Sequence, residues 1–166
     1  DMRKFGWVDI CKTSELSQHR HIEKLGIDAL AKEFTVEFFR NVLKQSPKKP
    51  IGTLLLEQEK IAGIGNIYRS EALFRSGILP SRLSGKIAIH EVKVLHKKIK
   101  EVLREAVKLR GTTDGDFRDT AAKRGGVQGS LFVYAREGEP CKRCGTIVVR
   151  KKMGQRSVFV CPTCQQ

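Results

Sequence analysis

Acids are in short supply in this sequence: across 166 residues, 18 Asp and Glu stand against 32 Lys and Arg, a formal charge of +14. That surplus points to a polyanionic partner, nucleic acid or an acidic membrane surface, although charge alone does not choose between them. Long apolar runs are missing as well. None approaches the roughly 20 residues that a membrane-crossing helix needs, so no such helix is expected. Asp1-Met2-Arg3-Lys4 leads into no apolar stretch of the secretory-leader kind. Cysteine is scarce and odd in number, five in all, with four gathered at the C-terminal end. This argues against a secreted disulfide framework and for a bound metal in a reducing compartment. Internal repeats and low-complexity tracts are absent. With 40% hydrophobic residues, wholesale disorder is excluded, and the length suits one ordinary domain or two small ones.

Helix signals dominate what is there. Phe5-Gly6-Trp7-Val8-Asp9-Ile10 reads as a strand. A helix is predicted over 36–45, with Thr35 as N-cap, Glu37 in the first turn, and Phe34 and Phe39 as a hydrophobic staple. After the basic linker Ser46-Pro47-Lys48-Lys49-Pro50, a short helix is predicted through Leu54, Leu55, Leu56 and Ile61. The glycine-rich stretch Ala62-Gly63-Ile64-Gly65-Asn66 then turns the chain. Another helix is predicted over 67–76, closed by Gly77. The clearest helix spans 88–109: Val92, Leu95, Ile99, Val102, Leu103 and Ala106 form an apolar stripe, and Gly111 ends it. Most of Lys93, Lys97, Lys98, Lys100, Arg104 and Lys108 on its other face read as solvated. Residues 111–130 form a polar loop, and Leu131-Phe132-Val133-Tyr134 reads as extended.

Cys141-Lys142-Arg143-Cys144 and Cys161-Pro162-Thr163-Cys164 are two C-x2-C pairs around a spacer, a strong metal signature. Each pair offers two thiolates to one ion, and together they complete the closed tetrahedron that Zn²⁺ favours. One structural Zn²⁺ is therefore expected, held by Cys141, Cys144, Cys161 and Cys164, with no open position for catalysis. Strands are predicted over 146–152 and 156–160 around a turn at Met153-Gly154-Gln155. So small a unit needs metal binding for much of its folding energy. Cys11 is expected to be a packed thiol without a role.

The segment from Leu55 to Phe74, with Gly63-Ile64-Gly65-Asn66-Ile67-Tyr68 at its centre, resembles the helix–two-turn–helix motif of the formamidopyrimidine-DNA glycosylase family (Fpg, or MutM, and Nei). Other motifs agree in order. Asp1-Met2-Arg3-Lys4-Phe5-Gly6 is similar to the family's D-x-R-x-F-G loop, Phe132-Val133-Tyr134-Ala135-Arg136 to its V-Y-G-R stretch, and Gln155-Arg156 to its zinc-ribbon arginine. The resemblance covers essentially the whole chain. It implies that Asn66 and Arg156 grip the phosphates flanking a flipped-out nucleotide. Read from the residues alone, Asn66 is a helix N-cap. Tyr134 either joins these contacts or is a half-buried strand residue. The resemblance further implies that Phe5 wedges into the emptied stack and Arg3 meets the orphaned opposite base. Without it, Phe5 is a core strand residue and Arg3 a surface charge.

Two departures from the family pattern stand out. Lys123, Arg124, Gly125 and Gly126 lie in the loop that in relatives closes over an extruded base, but the residues there differ. Gly52 stands where many members have a lysine, a contact either missing or replaced by Lys48 or Lys49. The implied architecture is mostly α: a helix–two-turn–helix domain over 25–134 and a four-cysteine zinc-ribbon hairpin over 135–166. Residues 1–24 would hold a remnant strand of an N-terminal β-sandwich.

In this family an N-terminal proline, followed by glutamate, attacks C1′ of the damaged nucleotide, expels the base and forms a Schiff base; elimination then cleaves the strand. That Pro-Glu region is absent from the sequence and no catalytic residue is assigned here. The whole enzyme is expected to be a bifunctional glycosylase/AP lyase of base excision repair, removing oxidised purines. These 166 residues are expected to bind DNA but not cut it. The expected partner is double-stranded DNA carrying a damaged base or an abasic site, with no membrane partner, a monomeric state and a bacterial-type cytoplasmic location. A non-enzymatic zinc protein that binds lesion DNA is the alternative. A zinc ribbon of the transcription or translation machinery explains the cysteines but not Gly63 to Phe74.

Overall fold

The computed structural model describes residues 8–111 and 125–166. Among these residues four α-helices, three short 3-10 turns and two small two-stranded sheets make up the regular structure: β1 (Ile27–Asp28), α1 (Val36–Gln45), α2 (Ile51–Leu54), β2 (Ile61–Ala62), α3 (Asn66–Ser76), α4 (Ile89–Lys108), β3 (Val149–Met153) and β4 (Arg156–Val160). Among the described residues no helix is long and apolar enough to cross a membrane. The main core lies between α1, α3 and α4, and Phe34, Phe39, Leu54, Ile61, Ile64, Leu73 and Leu95 are all buried in it.

Local rules set the helix ends. Thr35 holds extended backbone and its Oγ1 accepts from the Phe38 N–H at 3.1 Å. The Phe34 and Phe39 rings meet 5.5 Å apart, so the staple forms across this cap. Replacing Thr35 with Ala is expected to cost about 1 kcal/mol of stability, read as a lower urea midpoint at unchanged slope. An unmoved midpoint would show that the cap contributes nothing. At the end of α3, Gly77 takes the left-handed conformation (φ 74°), and the Ile78 N–H returns to the Leu73 carbonyl at 3.0 Å. The apolar stripe of α4 is buried as its spacing requires, from Val92 to Ala106. Lys100 on that helix is more than solvated. Its Nζ donates to the Ala31 carbonyl at 3.0 Å and sits 5.8 Å from the centre of the Phe34 ring.

Four local expectations are corrected. The second helix is a single turn, and Ile61 belongs to β2, which pairs in parallel with β1 (Ile27 with Ile61, Asp28 with Ala62). A nonlocal strand pairing there overrides a short apolar period, and Gly26 permits it, because a Cβ would run into the Lys60 carbonyl. Leu131 to Tyr134 form a loop rather than a strand, for a reason given by Glu71 below. Cys11 is exposed, not packed. Val8 to Ile10 are exposed and carry no strand; the rest of that predicted strand lies outside the described residues.

The hairpin is antiparallel, with Met153 opposite Arg156 and a two-residue turn begun by Gly154 at φ 60°. It is stitched to the helices at its far end. The buried Gln165 side chain accepts from the Cys161 N–H and donates to the Ile78 carbonyl, both at 2.9 Å. Gln166 bonds Gly77 and Leu79 through its backbone.

Candidate functional site

Two sites are built where the hairpin meets the helices. The first is the cysteine quartet. The thiol sulfurs of Cys141, Cys144, Cys161 and Cys164 all lie within 4.8 Å of one another, with Cys141 to Cys164 at 4.0 Å and Cys144 to Cys161 at 3.4 Å. A tetrahedral Zn²⁺ with Zn–S bonds of ~2.3 Å needs sulfurs about 3.8 Å apart, so the quartet fits one zinc ion. Thr146, through its hydroxyl and its backbone N–H, holds the Cys144 thiol down to about 6. Desolvation, and then the neighbouring sulfurs, push Cys164 up to about 12. Four anionic sulfurs at this spacing repel one another, and a divalent cation is what reconciles them. With four thiolates the coordination sphere is closed, which makes the role structural. Among the described residues this is the one such cluster, and Cys11 takes no part.

The second site is a pocket of about 330 Å³ lined by Leu56, Gln58, Gly63, Ile64, Gly65, Asn66 and Arg156. Gly63 turns the chain at φ 89°. Gln58 braces that turn: its Oε1 accepts from the Gly63 N–H at 2.9 Å while its Nε2 donates to the Ile64 carbonyl at 2.9 Å. Gln58 was not singled out from sequence, because nothing local marks a glutamine as the strut of a turn several residues away. Gly65 is the N-cap of α3, with open space where a side chain would stand. Asn66 is the first residue of the helix, not its cap, so the N-cap reading is corrected. The α3 N-terminus and the exposed Arg156 guanidinium together give the pocket a positive wall suited to an anion.

Behind Asn66 lies Arg69, fully buried. Its Nη2 donates to Asn66 Oδ1 at 2.6 Å and to the Ser157 carbonyl at 3.1 Å, and its Nη1 donates to the Gly52 carbonyl at 3.0 Å. Burial, and next the Arg156 charge, lower Arg69 to about 10, so it stays a cation at neutral pH. Gly52 is hemmed in: a Cβ would stand 2.7 Å from Pro80 Cβ and 2.9 Å from Met153 Sδ, so this backbone has no room for a lysine side chain. The Lys49 Nζ is paired with Glu57.

Tyr134 is half-buried in a loop, edge-on to Phe159 with ring centres 5.1 Å apart. Gly126 is described, its N–H bonded to the Leu109 carbonyl at 3.0 Å, and Gly125 packs beside Gly111 at the end of α4. Arg3, Phe5, Lys123 and Arg124 lie outside the described residues. The structure thus brings Asn66 and Arg156 to one pocket and the four cysteines to one point.

Known proteins resemble this chain in sequence and fold. Residues 25–117 match the family described as the formamidopyrimidine-DNA glycosylase H2TH domain, and residues 138–166 match the zinc finger found in FPG and IleRS. A formamidopyrimidine-DNA glycosylase of Pelotomaculum thermopropionicum is 43% identical over the whole of this chain, which spans 60% of that relative's length. The Lactococcus lactis Fpg in complex with abasic-site DNA superposes with a TM-score of 0.90 at 35% identity, covering 100% of this chain and 60% of the other. MutM in complex with DNA containing carbocyclic 8-oxo-G gives a TM-score of 0.88 at 34% identity, with the same coverage. The helical domain, its zinc finger and these likenesses agree: the chain belongs to the formamidopyrimidine-DNA glycosylase H2TH-domain family.

Proposed function

We propose that this chain is the DNA-gripping part of a bifunctional DNA glycosylase/AP lyase of base excision repair, acting on oxidised purines. The observation that carries the reading is the meeting of Asn66 and Arg156 in one pocket, although α3 and the hairpin lie far apart in sequence. A neutral amide donor, a guanidinium and a helix N-terminus around a glycine turn suit a backbone phosphate, which carries one negative charge and accepts hydrogen bonds. Tyr134, Arg3, Phe5 and the 123–126 loop complete the proposed contact set around an extruded nucleotide. Two named neighbours are complexes with abasic-site and 8-oxo-G DNA, which favours damaged duplex as the ligand here.

For the 166 residues themselves the reading is binding, as a monomer, without base excision. The residues lining the pocket supply hydrogen-bond donors and apolar walls, and none of them supplies an amine nucleophile. Fluorescence anisotropy on duplexes with and without an abasic site, run beside borohydride trapping, tests this. Lesion-selective binding with no covalent adduct is expected. Equal binding to both duplexes counts against lesion recognition, and efficient trapping counts against binding without chemistry.

Salt dependence adds a residue-level prediction. Log K should fall linearly with log salt, and Arg156→Ala should flatten the slope by about 1, one phosphate's worth of released counterions. An unchanged slope in that variant would place Arg156 away from phosphate.

A further inference from the structure

We infer that Arg69 is the positioning residue of the phosphate grip: it sets the direction of the Asn66 amide and ties the strand carrying Arg156 to the helix carrying Asn66. The inference rests on the reading of Asn66 and Arg156 as phosphate contacts. Three segments that are separate in the chain converge on this guanidinium. It bonds Gly52 in α2, Asn66 in α3 and Ser157 in β4, the residue after Arg156. The planar fork spreads its donors over two nitrogens, Nη1 for Gly52 and Nη2 for Asn66 and Ser157, whereas lysine gathers its donors on one.

The chemistry of an amide makes the bond to Asn66 directional. An asparagine has one accepting end and one donating end. With Oδ1 held 2.6 Å from a cation that cannot accept, Nδ2 must face the other way. A rotated amide would turn its oxygen toward an incoming phosphate and repel it. Arg69 and Asn66 are also three apart on α3, the spacing that stacks side chains on one helix face.

Charge points the same way. Arg69 is fully buried, and the partners it bonds are oxygens of neutral groups. The Arg156 guanidinium stands close enough to repel it. An anion entering beside Asn66 and Arg156 relieves that repulsion, so the buried cation biases the empty pocket toward a phosphate. Asn66 and Arg156 touch the ligand, whereas Arg69 acts through them.

The test begins without DNA, on the 166-residue protein loaded with zinc. ¹⁵N relaxation of the Asn66 side-chain amide should show an order parameter near the rigid-backbone value of about 0.85. In R69M, and in R69K, which keeps the charge but loses the fork, it should drop below about 0.6, with zinc content and helical signal retained. A mobile Asn66 amide in the unaltered protein, or a rigid one in either folded variant, overturns the inference. Binding to an abasic-site duplex supplies the second readout. N66A should weaken binding by about tenfold in the unaltered background and by less than about twofold beside R69M, since the amide is already undirected there. Full additivity of N66A and R69M overturns the coupling. If the amide loosens as expected while N66A alone leaves DNA binding unchanged, Arg69 keeps its positioning role and the phosphate reading of Asn66 fails.

Discussion

Stripping the metal with a strong chelator should unfold the hairpin, abolish tight DNA binding and leave most of the helical signal intact. Structural zinc contributes about 10–16 kcal/mol of apparent binding free energy in isolated zinc-finger peptides, far more than a hairpin of this size gains from burial. What the hairpin buries is small: Val148, Phe159, Cys141 and Cys161 pack with Phe74 and Val133. The helical core, by contrast, draws its buried apolar cluster from Ala29 to Leu103, with no ribbon residue among them. One transition is therefore expected on chelation, visible in near-ultraviolet circular dichroism and nearly silent in the far-ultraviolet. The tertiary signal of the Phe159–Tyr134 pair should go while helicity largely stays. DNA binding should fall with that transition, because Arg156 stands at the start of β4. Cys161→Ser, at a fully buried ligand, should mimic chelation without rescue by added Zn²⁺. Elemental analysis finding no zinc in freshly purified protein, or unchanged binding after chelation, would remove this account.

Substituting Glu71 should cost nearly as much as any single change in the helical domain. Its carboxylate is fully buried, and it accepts three backbone N–H groups at 2.9 Å, those of Phe132, Val133 and Tyr134. Those bonds hold Leu131 to Tyr134 as a loop, since N–H groups turned toward one carboxylate cannot also serve a strand ladder. Glu71→Ala leaves all three donors unpaired and opens a cavity, with an expected loss of about 3–5 kcal/mol in urea unfolding. Glu71→Gln keeps one accepting oxygen, which still reaches Val133 and Tyr134, and should cost about 1–2 kcal/mol. The loop carries Phe132, stacked on Phe74 with ring centres 5.4 Å apart and capped by Arg75 at 5.3 Å. Arg143 lies 4.6 Å above the Phe74 ring from the ribbon side. Losing Glu71 should therefore also loosen the ribbon, seen as faster zinc release to a chromophoric chelator. Equal stabilities for the Ala and Gln variants would mean that the three bonds contribute little and the cavity is the whole effect.

By itself the sequence determined most of what depends on neighbours a few residues away, the N-cap of α3 excepted. The cap at Thr35, the staple of Phe34 and Phe39, the left-handed Gly77, the buried stripe of α4 and the turn at Gly154 are all local devices, and each forms where its residues stand. The cysteine quartet was legible too, because two C-x2-C pairs can satisfy one ion and the spacer can return the chain. The chain turn at the glycine-rich stretch before Asn66 was legible as well, and Gly63 makes it at φ 89°.

Only the tertiary structure decided the roles of residues whose partners are distant. Ile61 looks helical in sequence and becomes a strand because Ile27 lies beside it. Leu131 to Tyr134 have strand composition and become a loop because Glu71 draws in the N–H groups of Phe132, Val133 and Tyr134. Arg69 and Glu71 look like ordinary exposed charges of a helix, yet both are fully buried and join the helices to residues beyond position 130. A charged side chain carries no sign in its sequence of whether water or three backbone dipoles will surround it. That is settled by which segments pack against it, and so the meeting of Asn66 and Arg156 in one pocket follows from the packing of α3 on the zinc hairpin.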